Sequence, residues 1–584
     1  MFRTLSFRTL SFRALALVSL LATAMLLSAC GSSSSSSSGS GQPPSEPGLP
    51  DTGLLILSSE DDGDTPTFML TAINSNDPDD AEGSRNITGL EDGDTLVGID
   101  YRPANGDLYA VGLSGTLYVI DPENAEVVSS VTLIPAPDMN PVFSGLEGTH
   151  FGVDFNPVPD RLRVTSNTGQ NLRINVDTGE TIVDGALSSD TESTRITGSA
   201  YTNSFAGTTS TRLFNIDSGD NLLYLQQPPN DGTLVNPVSL GVNVEGSNGF
   251  VIDGRNNAAF AALIVNGETG LYHIDLNAEA DAATLIGELD VEGTVLGIAL
   301  APPAAPEVLA LTRDNALLRF AVATPGSTTL TAISNLEMDE EQLIGIDVRP
   351  ATGDLYAVSN QGNIYTLDPD SGEASLQASL VPNGDDAFSI LIGLDFAMDF
   401  NPVPDRLRLM SDLGQNLRIN VETGETITDG DIAYAVEDDL SGIEDIPLLG
   451  PLLALIGDIM LPSGEDASPT LTAAAYTNSF AGTESTQLFT LDVDNQTLNL
   501  QNPPNDGTQV PLVDLPVAAT GDQGFDIAGG DNGLVLAALS DTLDGPYTLY
   551  HVNLATGAFT PVSDSATIGG GSGPAIRGIT VLLH

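Results

Sequence analysis

The sequence predicts an all-β protein made of two tandem propeller-like domains, and three observations carry that prediction. The first is composition: 584 residues with 60 glycines and 36 prolines suit many short strands joined by tight turns. The second is a duplication at an interval of about 245 residues. The third is a weaker period inside each copy, with four short strands in every 40 to 50 residues or so.

The duplication is literal in places. Residues 154–163, DFNPVPDRLR, recur as 399–408, and GQNLRINV at 169–176 recurs at 414–421. AYTNSFAGT at 200–208 returns at 475–483, and PPNDGT at 228–233 returns at 503–508. Within a copy, a small residue followed by an apolar strand starts at Gly98, Gly152, Gly198, Gly249 and Gly297. The second copy has Gly345, Ala397, Ala473, Gly524 and Gly578 in these places. Each copy opens on an incomplete unit (Leu54–Leu57, Val308–Leu311) and closes on a lone strand (Leu296–Leu300, Arg577–Leu583). The last strand can therefore complete the first unit and remove an open sheet edge, giving five four-stranded blades per copy. Two five-bladed rings are preferred to one ten-bladed ring, because Ala301-Pro-Pro-Ala-Ala-Pro306 reads as a stiff linker.

The expected organisation is a signal peptide at 1–29, a tether at 30–52, the first repeat at 53–300, a linker at 301–306 and the second repeat at 307–584. The N-terminus carries Arg3, Arg8 and Arg13, then the apolar run Ala14–Leu27, then Leu27-Ser28-Ala29-Cys30. That order is the pattern of a secretory signal, and the four residues Leu27–Cys30, with the cut expected before Cys30, resemble a bacterial lipobox. The resemblance implies a diacylglyceryl group on Cys30, the only cysteine of the chain. The run is too short to span a bilayer, and the Ser/Gly/Pro stretch Gly31–Pro50 has the composition of a flexible spacer. A lipid-anchored protein of the cell envelope is expected. Gly31 after Cys30 resembles the signal that directs a lipoprotein to the outer membrane.

Charge narrows the partners. Asp and Glu number 79 against 18 basic residues, none of them lysine, for a formal charge of −61. Such a surface repels phosphate backbones and argues against nucleic-acid binding. The absence of lysine and of a second cysteine excludes Schiff-base and thiol-nucleophile chemistry in the body of the chain. Histidines number four, and His150, His273, His551 and His584 form no zinc-ligand motif. His273 and His551 occupy matching strand positions and read as structural residues.

The recurring polar residues are Asp100, Arg102, Asp154, Arg161, Arg163 and Arg173, with Asp347, Arg349, Asp399, Arg406, Arg408 and Arg418 in the second copy. In so acidic a chain the arginines are expected to pair bidentately with carboxylates such as Asp100, Asp154 and Asp160, pinning the blades. A carboxylate-arginine site in a central channel, for an anionic or sugar ligand, is the sharper alternative. Calcium is a secondary expectation, from the turns Asp217–Asp220 and Asp368–Glu373, which read equally as Asx turns. The second copy alone carries an apolar insertion within 429–469. Its core, Ile446–Pro462, reads as a packed short helix, an interfacial lipid contact or a docking hairpin.

The strings GIDYRPANGDLYAV, GVDFNPVPDRLRV, TGQNLRIN, AYTNSFAGT and QQPPNDGT resemble those of a bacterial family of secreted proteins known as domain of unknown function 4394. The resemblance implies a propeller-like secreted domain and brings no activity. The function expected is non-enzymatic binding or scaffolding of an envelope protein or polysaccharide. The alternative is an envelope hydrolase or lyase acting on carbohydrate through channel carboxylates.

Overall fold

Alternation of apolar and small residues, broken by Asx and glycine turns, produces strands almost throughout. The computed structural model describes residues 53–583, apart from 62–65, 82, 191–193, 437–439, 441–442, 444–449, 457–458, 460 and 462–467. The signal peptide, Cys30, the whole tether and His584 lie outside the described residues. The described chain is all-β: ten sheets of four or five strands, five from each copy, nearly all antiparallel.

Each sheet has a leading strand on one edge. In the first copy these are β1 (Leu96–Tyr101), β2 (Phe151–Asn156), β3 (Ile196–Tyr201), β4 (Val244–Ile252) and β5 (Thr294–Ala299). In the second they are β6 (Leu343–Val348), β7 (Phe396–Asn401), β8 (Leu471–Tyr476), β9 (Gly524–Ala528) and β10 (Ile576–Leu582). Leading strands pack side by side in chain order, and β5 also packs on β1 as β10 does on β6. Small residues permit the approach: a Cβ on Gly152 of β2 would lie 2.6 Å from the Ser199 amide nitrogen of β3.

The last strand of each copy pairs with the first. Leu55 of the opening strand Gly53–Asp61 stands opposite Ala299 of β5, and Leu309 of Glu307–Thr312 stands opposite Thr580 of β10. Two-residue strands, Ile134–Pro135, Val381–Pro382 and Ala433–Tyr434, add a parallel fifth strand to three sheets. They lie too close to the length of a turn to be read from sequence.

Apolar side chains fill the spaces between adjacent sheets, and one such core joins the copies. Phe205 of the first copy is fully buried among second-copy residues that include Leu534, Leu536 and Ile579. Thr208 Oγ1 donates to the Gly533 carbonyl at 2.9 Å, and the Thr209 amide reaches the same oxygen at 3.2 Å. Glycine is required there, because a Cβ on Gly530 would sit 2.4 Å from Asn257 Nδ2. In the insertion, α1 (Gly450–Ile456) packs through the fully buried Leu452 into the core that holds Phe489, Val510 and Tyr550. Among the readings of the insertion, packing is what its described residues do. No described helix is long and apolar enough to cross a membrane.

Candidate functional site

The leading strands place one carboxylate each where it meets the neighbouring sheet. Asp100 Oδ2 on β1 accepts the amide of Phe155 just beyond it on β2, at 2.6 Å. Asp154 on β2 accepts the Tyr201 amide of β3 at 3.0 Å. The second copy repeats this: Asp347 accepts the Phe400 amide at 2.7 Å, and Asp399 the Tyr476 amide at 3.0 Å. The expected pairing of Asp100 and Asp154 with arginine is therefore corrected. Their partners are backbone N–H groups of the next sheet, and burial in a packed inter-sheet core leaves no path for a guanidinium.

A third carboxylate joins them in the second copy only. Asp526 of β9 accepts the amides of Ile527 and of Val581 on β10, the latter at 2.5 Å. Carboxylate oxygens of Asp347, Asp399 and Asp526 lie within 4.8 Å of one another, and all three residues are buried. Burial is the main force on their acidity. It raises Asp526 to about 6 and, in the first copy, Asp100 to about 7. Asp347 and Asp399 are pushed up by burial first, then by neighbouring carboxylates. Such a group has hard oxygen donors of the kind calcium takes. Most of those oxygens, however, already accept N–H or O–H bonds, Thr580 Oγ1 on Asp347 Oδ1 among them.

The arginines form separate networks on the outer parts of the sheets. Arg163, 1 % exposed, donates to Asp184, Asn171, Asn230 and Tyr201. Arg173 makes a bidentate pair with the same Asp184. Arg408 and Arg418 repeat this around Asp429, with Asn416, Asn505 and Tyr476. Arg102 grips Asp160 and Asp177, and Arg349 grips Asp405 and Glu422. Arg161 and Arg406 instead bond to carbonyls of their own turns, those of Asp160 and Asp405. The structure thus gathers Arg163 with Arg173, and Arg408 with Arg418. It leaves the aspartates on the leading strands apart from all of them.

Along the axis between the leading strands there is almost no room. The space lined by Gly98, Phe151, Gly152, Gly198, Phe250 and Ile298 is about 10 Å³, and its second-copy equivalent is also about 10 Å³. That is about the least space that admits a single water. At the second copy's axis sits a charged group absent from the motifs. Arg313 Nε bonds Asp522 at 2.8 Å, Arg577 Nη1 lies 3.8 Å from it, and Arg577 borders the axial space. Burial, then the neighbouring Asp395, raises Asp522 to about 7. Only the change from His150 to Asp395 between copies hinted at this cluster, because its members lie far apart in the chain.

In the turns considered for calcium, one oxygen of each first aspartate is taken by backbone amides, while Asp217 Oδ2 is buried without a hydrogen-bond partner. Asp217 Oδ1 accepts the amides of Arg195 and Gly219, and Asp368 Oδ1 accepts those of Asp370 and Ser371. His273 and His551 are both held below the usual imidazole range by burial, and His273 stacks edge-on against Phe260.

Comparison with known proteins agrees with the motif resemblance. No curated protein matches the chain. Among solved structures the chain is similar to one titled "Structure of U3-55K", with 7 % identity over 78 % of this chain and 90 % of that chain. The TM-score of that match, 0.21, is too low to carry an argument. A family model described as "Domain of unknown function (DUF4394)" matches residues 69–299, 316–445 and 455–580. The chain therefore belongs to the family of domain of unknown function 4394, of which it holds tandem copies.

Proposed function

We propose that this chain is an exported, lipid-anchored protein of the cell envelope whose two copies are five-bladed propellers. Its role in this reading is to bind or scaffold a partner, without catalysis. The observation that carries the reading is the use of the repeated polar residues. The aspartates on the leading strands tie sheet to sheet through backbone amides, and Arg163 and Arg408 tie turns and strands within the cores. Among the described residues these repeated aspartates and arginines are taken up by such ties, and the space beside the leading strands is about 10 Å³ in each copy. The side-by-side leading strands, and the pairing of β5 and β10 with the opening strand of their copies, support closure of each copy.

Metabolic labelling with radioactive palmitate tests the anchor. The expected result is label in the full chain and none in Cys30→Ser, which moves to the soluble fraction. Label in both, or membrane association unchanged by Cys30→Ser, overturns it.

The hydrolase alternative has one feature in its favour, the Asp395–Asp522 pair on the second axis. Turnover of an envelope glycan panel that disappears in Asp522→Asn would establish that alternative. Equal results for both chains would count against it.

A further inference from the structure

The two copies share one backbone device at a face of the second leading strand, and they dress it oppositely. In the first copy, the strap before β2 is clamped to the turn at 167–170. The Glu147 amide donates to Gln170 Oε1, the Thr149 amide to Asn167 Oδ1, and Gln170 Nε2 to the Gly145 carbonyl. The second copy makes the same three bonds. The Ile392 amide donates to Gln415 Oε1, the Leu394 amide to Asp412 Oδ1, and Gln415 Nε2 to the Ile390 carbonyl.

Outward side chains differ at every matching position. Gly145, Glu147, Thr149 and Thr168 become Ile390, Ile392, Leu394 and Leu413. These four are 64 %, 49 %, 80 % and 68 % exposed, while Leu391 between them packs inward on the core. The first copy exposes Met139 and Val142 earlier in its loop, yet its strap remains polar. An extended strap that is apolar on both sides needs cover on both sides.

Carboxylates stand beside this patch in the chain: Asp385 and Asp386 precede it, Asp412 neighbours Leu413 and accepts the Leu394 amide, and Asp395 follows Leu394. Asp386 is turned to the Phe388 amide and to Thr428. Asp395 leads to Asp522 and Arg313, and beyond them to Asp544 beside the exposed Leu543. A second copy of this chain is a poor occupant, because joining two such faces brings like charges together. A lipid surface is also poor, since interfacial binding favours basic and aromatic residues at the rim.

We infer that Ile390, Ile392, Leu394 and Leu413 form the docking face for another protein, through an apolar segment of that protein flanked by Lys or Arg. This deepens the binding reading and rests on it. Its test is independent of the anchor, because Cys30→Ser leaves the patch untouched.

The experiment uses the full chain carrying Cys30→Ser and a fluorescent amphipathic peptide of Leu and Lys, read by anisotropy. Its analogue with Glu for Lys is the charge control. The expected result is binding of the Lys peptide alone, weakened about tenfold or more in I390G/I392E/L394T/L413T. A reciprocal variant, E147I/T149L/T168L, which keeps Gly145 because its φ of +134° strains any side chain, should add a second site and raise the stoichiometry from one to two. Equal binding by the fourfold variant, binding of the Glu analogue, or a stoichiometry that stays at one overturns the proposal. So does patch-dependent dimerisation by light scattering, or patch-dependent binding to phosphatidylcholine vesicles, each of which hands the face to a different occupant.

Discussion

The two copies agree most closely in their buried arginine networks and differ at the strap before the second leading strand, at their mutual contact, and at the second copy's third carboxylate and charged group. Arg163 and Arg408 hold their carboxylates at 2.7 and 2.6 Å, and their asparagines, Asn230 and Asn505, at 2.8 and 2.7 Å. Against that identity stand Glu147 and Ile392, Arg255 and Gly530, Val251 and Asp526, and Leu296 and Arg577. Residues kept in both copies hold the framework, and residues changed between copies mark where the two halves present different chemistry.

The strongest way to break this comparison is to remove the shared network on one side at a time. Arg163→Met or Arg408→Met leaves a carboxylate, 5 % exposed in either copy, with one remaining cation. Breaking a buried pair this way costs about 3–5 kcal/mol. Denaturant unfolding should show the same loss for both variants. A difference above about 1 kcal/mol would mean that the networks are alike in geometry and unlike in load.

Next in size is the contact between copies. Gly530→Arg places the first copy's own Arg255 where a Cβ already meets Asn257. Overpacking of this kind costs about 1–3 kcal/mol. Hydrogen exchange at 203–209 should accelerate as Phe205 loses its place in the second copy's core, with exchange in β1 and β2 unchanged. Unchanged exchange at 203–209 would show that the contact tolerates bulk, and that the glycine there is incidental.

Much of this was legible in the sequence, and the gaps have physical causes. The duplicated strings fixed the strands, and the lone strands 296–300 and 577–583 announced their pairing with 53–61 and 307–312. Pairing of Arg102 with Asp160 was readable because both lie in repeated motifs. Asp184 and Asp429 were not, since a carboxylate's partner depends on which strand lies beside it and not on its neighbours in sequence. The same holds for the aspartate-to-amide ties. A carboxylate on a leading strand faces a sheet contributed by residues about 50 positions away, and periodicity gives its face but not its donor. The charged group of Arg313, Asp395, Asp522 and Arg577 draws on three distant stretches and has no counterpart motif.

The third carboxylate sharpens the comparison through pH. Asp526 has a folded pKa of about 6 against 3.8 for the ordinary side chain, so the folded state holds its proton more tightly. Its contribution is fully present below about pH 4 and is lost as pH rises through about 6. Asp526→Asn keeps an acceptor for the Val581 amide and removes the ionisation. Thermal stability of the wild type should weaken between pH 4 and 7, and Asp526→Asn should flatten that slope by up to about 3 kcal/mol. The first copy has Val251 here and only the Asp100–Asp154 pair, yet burial raises Asp100 further, to about 7, so Asp100→Asn should flatten the slope at least as much and over a range extending to higher pH. A smaller effect than that of Asp526→Asn would mean that the triad, and not burial alone, sets the pH dependence.

The smallest stability effect is expected where the copies differ most visibly. I390G/I392E/L394T/L413T installs the first copy's side chains on a backbone whose three clamping bonds are already those of the first copy. The replaced side chains are largely exposed, and exposed substitutions away from buried networks change stability by about 0.5 kcal/mol or less. Calorimetry should therefore find an unchanged unfolding temperature, with better solubility near neutral pH. A large destabilisation would mean that the four side chains support the strap. Their exposure would then be a cost of folding, and the functional difference between the halves would have to lie at the charged axis of the second copy.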